Sequence, residues 1–485
     1  MESLDVVIVG AGLSGIGAAC HLEDHCPGKT YTLLEGRDAI GGTWDLFRYP
    51  GIRSDSDMHT LGFGFKPWKE RKSIADGTSI RNYVNETADE YGVREHIRFQ
   101  HSLKSAAWSS EDKQWTLEIL RKDTNETVHL QCNFLMMCAG YYNYEHGYRP
   151  EFEGADDFEG QIIDPQFWPE GLDYTNKRVA VIGSGATAIT IVPNMAEDAE
   201  HVTMVQRSPT YVVSRPAVDQ IAVFLRKIMP EKWAYAITRF KNVQFQRLAY
   251  NRTRTKPEKV KEMLLGMVRT ELGPDYDIEK HFTPSYNPWD QRLCLIPDSD
   301  LFKQISAGTV SVVTDHIDTF TKSGIRMQGG EEVEADIIVT ATGLELKVLG
   351  GVEFTKDGEK IDFAQTWSYK GMLYSDVPNL IQTFGYINAS WTLRADLTSE
   401  YACRLLNHMD ATNTKVCVPH LREDDMDMPA RPWIDDFSSG YMQRTMHLMP
   451  RQGDHAPWMN TQNYAADKKM IRKAPLEDGR ISFES

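Results

Sequence analysis

Two stretches of this chain share one local pattern, and it narrows the possible folds sharply. "DVVIVGAGLSGIGAACHL" (5–22) is a β-branched run, a glycine turn and a helix of small residues, and "KRVAVIGSGATAITIVPNMA" (177–196) repeats it. Each is followed by another apolar run, "YTLLE" (31–35) and "HVTMVQR" (201–207). This is the βαβ unit of a nucleotide-binding α/β fold, present twice. The expected fold is therefore two Rossmann-like dinucleotide-binding domains.

The first turn supplies Gly10, Gly12 and Gly15 as G-x-G-x-x-G, and the second supplies Gly183, Gly185 and Ala188 as G-x-G-x-x-A. The first glycine permits the tight turn and the second lets the backbone approach a pyrophosphate. The third position must be small so that helix and strand pack closely, with the helix N-terminus facing the phosphates. The strands that follow end differently. Glu35 suits the ribose hydroxyls of FAD, whereas Arg207 and Ser208 offer a positive charge and a hydroxyl to the 2′-phosphate of NADPH. One chain holding both cofactors can pass hydride from nicotinamide to flavin. A disulfide reductase would need a close redox cysteine pair, and none of the seven cysteines forms a C-x-x-C.

The remaining sequence sets limits. At 485 residues with 41% apolar content the chain has material for two to four domains and a large core. A net charge of −16 argues against nucleic acid or anionic membrane binding through a general basic surface. No apolar run approaches the length of a membrane span, and no basic leader precedes the first strand. An odd number of scattered cysteines reads as free thiols in a reducing cytoplasm. The histidines give a single H-x-x-x-H pair, His21 and His25 in the helix after the first glycine turn, with no further ligand pattern around it, so no metal site is expected. Residues 216–290 lose alternation and read as a helical excursion. The stretch after 419, rich in Pro, Asp and Met, is expected to wrap over the surface.

Residues 41–55, "GGTWDLFRYPGIRSD", satisfy a pattern of type I Baeyer–Villiger monooxygenases position by position. "FEGQIIDPQFWP" (158–169) resembles that family's F-x-G-x-x-x-H-x-x-x-W-P fingerprint through Phe158, Gly160, Trp168 and Pro169, with Asp164 in place of histidine. "CAGYYNYEHGY", "QRSPTYVVS", "NPWDQRLCLIPDSDLF", "GYINASWTLRADL" and "APWMNTQNY" resemble the ethionamide-activating branch of the family, over nearly the whole chain.

The resemblance implies an FAD domain from 1–140 and 336–485, a linker at 141–169, and an NADPH domain at 170–335 that carries the helical excursion 216–290. It implies an NADPH- and O2-dependent enzyme using a C4a-peroxyflavin to turn ketones into esters or lactones and thioethers into sulfoxides. Arg292 in "NPWDQRLC" is the implied guanidinium beside the peroxide. The later arginine of many relatives is absent here, Ala307 standing at its place. Asp55 would orient Arg292, or cap the helix that "SDSDMHTL" suggests. Thr43, Trp44 and Asp45 would flank the isoalloxazine, and Ser14 would join the pyrophosphate loop. Gly42, Leu46, Arg53, Ser54 and Leu103, with Ser184, Ala186 and Thr187 at the second turn, complete the implied cofactor contacts. Tyr386, Asn388 and Trp391 would line the substrate site or belong to the core.

Asp164 is expected to change domain coupling, because a carboxylate only accepts where an imidazole could donate, or simply to cap the turn before Pro165. The rival readings are a flavin monooxygenase restricted to sulfur or amine oxidation, and a non-enzymatic FAD/NADPH redox sensor.

Overall fold

The structure is a computed structural model that describes residues 1–435 and 437–485. The first strand, β1 (Glu2–Val9), leads through the glycine turn into α1 (Leu13–His25) and then β2 (Tyr31–Leu34). A three-stranded antiparallel run follows: β3 (His101–Ser109), β4 (Gln114–Arg121) and β5 (Glu126–Met137). β5 returns beside β1, so β1 lies between two parallel neighbours, Val6 opposite both Tyr31 and Phe134. Val6 and Ile8 point into one core and Val7 and Val9 into the other, which is why this strand reads as an unbroken apolar run. A fully buried side chain of this size contributes about 1.5–3 kcal/mol.

The second sheet is wholly parallel. It uses β6 (Gln161–Ile163), β7 (Arg178–Ile182), β8 (His201–Gln206), β9 (Val310–Thr314) and β10 (Ile337–Thr340), in the spatial order β9-β8-β7-β10-β6. Its glycine turn opens α2 (Ala186–Met195). Two expected boundaries move as a result. β6 lies inside the expected linker and β10 inside the expected FAD segment, yet both pair in the second sheet. Parallel pairing joins strands distant in sequence, and no local signal marks which sheet takes them.

Between β8 and β9 stands the helical excursion, with α3 (Gln220–Ile228), α4 (Glu231–Thr255) and α5 (Pro257–Leu272). α6 (Trp391–Thr412) then packs against α1. The stretch after 419 does not merely wrap the surface. It buries Trp433, Trp458 and Ile471 in the two cores of the first domain. Its aromatic residues, scattered among polar ones, fill gaps that no periodicity announces. All seven cysteines are buried and free. Among the described residues no helix is long and apolar enough to cross a membrane.

Residues 43–56 join the two domains physically. Phe47 and Tyr49 leave the first fold and pack in the core of the second, with Val179 and Ile189. Arg53 pairs with Asp300 across the same boundary. A Cβ on Gly51 would overlap the Asn194 side chain on α2, and its φ of 74° lies in the left-handed region that suits glycine.

Candidate functional site

One cavity of about 1310 Å³ runs from the first glycine turn to the second. All the cofactor and catalytic residues expected from the sequence line it except Gly15, Asp45 and Ala188. Gly10 turns with φ 103°, and a Cβ there would lie 2.7 Å from the Cys138 carbonyl oxygen. Gly12 lies against Gly42, where a Cβ would stand in ordinary contact 3.5 Å from the Gly42 Cα. Gly15 packs against the Gly10 carbonyl, leaving no room for a side chain, and Ala188 is fully buried beside Gly183. Neither faces the cavity, and both fill the packing role expected of the third position.

Glu35 is buried at the end of β2. One carboxylate oxygen accepts from the Ala11 N–H (2.8 Å) and the other from the Arg37 N–H (2.9 Å). Burial raises its pKa, and these two bonds pull the other way. Ser14 Oγ accepts from Trp391 Nε1 (2.7 Å). Trp391 in turn stacks on Tyr141 with centroids 5.0 Å apart, so it is both packing and cavity wall.

Asp45 departs from expectation. Its buried carboxylate meets three guanidinium groups, from Arg37 (2.6 Å), Arg48 (2.9 Å) and Arg81 (3.2 Å). Three cations draw the side chain away from the cavity and into the scaffold of the 43–46 turn. Arg53 does line the cavity, but its Nη2 is buried without a hydrogen-bond partner. At the second turn Ser184 donates to the Ser208 carbonyl (3.0 Å). Arg207 is exposed and makes no ion pair or hydrogen bond among the described residues.

Between the turns, Arg292 Nε donates to Asp55 Oδ2 (2.8 Å), and Arg292 Nη2 donates to the same oxygen. The two side chains retain 31% and 32% of their exposure, and both face the cavity. The neighbouring carboxylate holds the guanidinium charged well above its ordinary range, outweighing burial, which pulls the other way. Asp55 does not cap the following helix. Asp57 does, accepting from the Thr60 N–H (3.1 Å), which leaves Asp55 free for the arginine. Arg292 is carried just ahead of a short strand, Cys294–Pro297, which pairs with Val212–Arg215 at the base of the helical excursion.

Three phenols that the sequence did not single out surround this pair. Tyr141 and Tyr142 share a hydrogen bond (2.9 Å), and Tyr441 reaches in from the C-terminal stretch. Burial pushes all three phenols above their ordinary range, against the pull of Arg292, so they stay protonated and able to donate. "CAGYY" marks the end of a strand at the sheet's carboxyl edge, where such folds bind ligands, and that position was the available signal. Tyr386 lines the cavity, but its hydroxyl is committed to Asp467 (2.7 Å). Asn388 donates to the Gln462 carbonyl (2.9 Å) and faces a second cavity of about 830 Å³ beneath α4.

Asp164 uses both oxygens locally. One accepts from the Gln166 N–H (2.9 Å), capping the turn Pro165–Phe167, and the other accepts from Arg149 Nε (2.8 Å).

The chain matches the family model described as flavin-binding monooxygenase-like over residues 72–373, and an NAD(P)-binding Rossmann-like domain model over residues 8–76. It is 51% identical over 483 residues to the FAD-containing monooxygenase EthA of Mycobacterium tuberculosis (strain ATCC 25618 / H37Rv), covering 99% of this chain and 98% of that protein. Among solved structures, an oxidized steroid monooxygenase bound to NADP superposes with a TM-score of 0.78 at 21% identity, covering 100% of both chains. A cyclohexanone monooxygenase with bound epsilon-caprolactone superposes with a TM-score of 0.74 at 19% identity, again over 100% of both.

Proposed function

The chain belongs to the flavin-binding monooxygenase family, and from that premise we propose that it uses FAD, NADPH and O2 to convert ketones to esters or lactones and thioethers to sulfoxides. The observation that carries this reading is the Arg292–Asp55 pair, set in the wall of one cavity that reaches both glycine turns.

The residues present fit the two cofactors. At the first turn Gly10, Gly12 and Gly42 leave a cradle that side chains would close, and the buried Arg53 Nη2 has no partner from the protein. At the second turn Arg207 stands free beside Ser208, as a 2′-phosphate requires. FAD would be held by the first turn, Glu35 and the 42–46 segment, and NADPH by Gly183–Ser184–Gly185 and Arg207. Together they would supply hydride and the activation of dioxygen.

The chain's own part is electrostatic. Arg292 is a fixed cation that does not lose its proton, and Asp55 fixes its orientation. A negative charge developing on a bound oxygen would meet that guanidinium without the site having to reorganise. Tyr141, Tyr142 and Tyr441 add neutral donors and exclude water. A ketone adduct carries such a charge, which is why the pair favours oxygen insertion beside a carbonyl. A thioether needs less of it, so sulfoxidation is the less demanding reaction.

Product analysis tests this. Purified enzyme supplied with NADPH and air is expected to give lactone from a cyclic ketone and sulfoxide from thioanisole. Sulfoxide without lactone would reduce the activity to sulfur oxidation. Cofactor consumption that neither compound stimulates would contradict oxygen transfer altogether.

A further inference from the structure

The helical excursion turns its apolar side outward. α3 buries only Ala222, while Ile221, Phe224 and Ile228, at helical spacing, are each more than half exposed. On α4, Trp233, Ile237, Phe240 and Leu248 form a second outward stripe, with Trp233 at 69% and Phe240 at 67% exposure. The helices lie side by side and antiparallel. Asp219, which caps the start of α3, is held by Lys241 in the middle of α4 (2.6 Å). Single exposed apolar residues are ordinary, but an apolar face built from two adjacent helices marks an interaction surface.

The charge around that face is opposite to the charge of the molecule. Residues 220–256 hold nine basic side chains and one acidic one, a formal +8, while the whole chain carries −16. The rest of the molecule therefore carries −24. Among the described residues Lys227, Lys232, Arg247 and Arg252 make no ion pair. The loop beside α3 adds exposed Lys69, Arg71 and Lys72, and Arg226 donates to the Glu70 carbonyl (3.1 Å) to fix that loop against the helix. The acidic groups facing the patch are few: Glu70 is exposed in that same loop, Glu231 pairs with Lys69 (3.8 Å), and Asp219 is spent on Lys241.

We propose that the α3–α4 hairpin docks on an anionic lipid surface, with Phe224, Ile228, Trp233 and Phe240 entering the headgroup boundary and the surrounding lysines and arginines meeting lipid phosphates. Aromatic and aliphatic side chains flanked by unpaired cations are the chemistry that such a boundary recognises. A two-fold contact with a second copy would set the unpaired lysines and arginines of one face against those of the other and is disfavoured by charge. The same hairpin face gives Lys232, Phe240 and Arg247 to the mouth of the 830 Å³ cavity, so an apolar solute leaving the lipid would meet the protein there. The acidity of the whole chain hides this surface from any reading of net charge alone.

Sedimentation of the FAD-loaded, full-length protein with vesicles tests the proposal. Equimolar phosphatidylcholine and phosphatidylglycerol vesicles are expected to carry the protein down at about 0.1 M salt, with phosphatidylcholine alone at least tenfold less effective and about 0.5 M salt releasing most of it. Phe224→Ser with Trp233→Ser, and separately Lys227→Glu with Arg252→Glu, are each expected to weaken binding by on the order of tenfold or more. Turnover of a water-soluble ketone should stay unchanged in both, which shows that they fold. Equal sedimentation of wild type and both variants overturns the proposal, and so does equal binding to neutral vesicles. A dimer by light scattering that Phe224→Ser with Trp233→Ser dissolves, without vesicle binding by the wild type, also overturns it and assigns the face to self-association.

Discussion

The two glycine turns share a sequence pattern and part company in their surroundings. The first is enclosed: Gly10 faces the Cys138 carbonyl, Gly12 faces Gly42, and Glu35 is buried and bonded to the turn itself through the Ala11 N–H. The second is enclosed at Gly183, where a Cβ would strike the Ala341 carbonyl, but a Cβ at Gly185 would meet nothing within 4 Å. Its cation, Arg207, stands exposed and unpaired. One nucleotide site is therefore walled in by the protein, and the other is open along one side. That difference suits a coenzyme that stays and a coenzyme that comes and goes.

The largest expected effect that could break this contrast is at Gly10. Gly10→Ala forces a φ of 103° on a residue with a Cβ and presses that Cβ on backbone, so it should cost about 2 kcal/mol or more and yield protein without bound flavin. Gly185→Ala should leave the melting temperature and flavin content intact and raise KM for NADPH. If both substitutions strip flavin equally, the contrast is wrong. Next in size, Arg207→Ala should weaken NADPH about 10–100-fold and barely change NADH, as loss of a charge-assisted bond implies. Equal losses for both would remove Arg207 from the 2′-phosphate.

The smallest effect sharpens the walled-in side. The folded-state pKa of Glu35 is raised above 4.5 by burial, so its contribution to stability is full below that pH and declines as pH rises through the raised value. Glu35→Gln does not titrate. The melting temperature of wild type should therefore fall relative to the variant between acid and neutral pH. A constant difference would show that the carboxylate is not desolvated.

Much of this contrast was legible in the sequence, because a glycine turn and its strands are local. The pairing of Arg292 with Asp55 was not, since the residues come from different domains, and only the family resemblance named them together. The guanidinium cluster around Asp45 was not legible, because Arg37 and Arg81 reach it from outside its own turn. The phenols of Tyr141, Tyr142 and Tyr441 went unnamed because an aromatic residue in sequence reads as core until a cavity opens beside it. The boundary expected at 336 leaves β10 outside the domain whose sheet it joins, because strand pairing is a long-range choice. The apolar face of α3 and α4 was recorded as helix, but sequence does not tell which side of a helix its neighbours cover.

The most direct measurement reduces the enzyme with NADPH without oxygen, mixes it with air, and follows the absorbance transient in wild type and Arg292→Ala. If a guanidinium fixed by Asp55 stabilises negative charge on oxygen in the cavity, the transient should be at least tenfold shorter-lived in the variant while the rate of flavin reduction changes little. A transient of unchanged lifetime would contradict that role for Arg292.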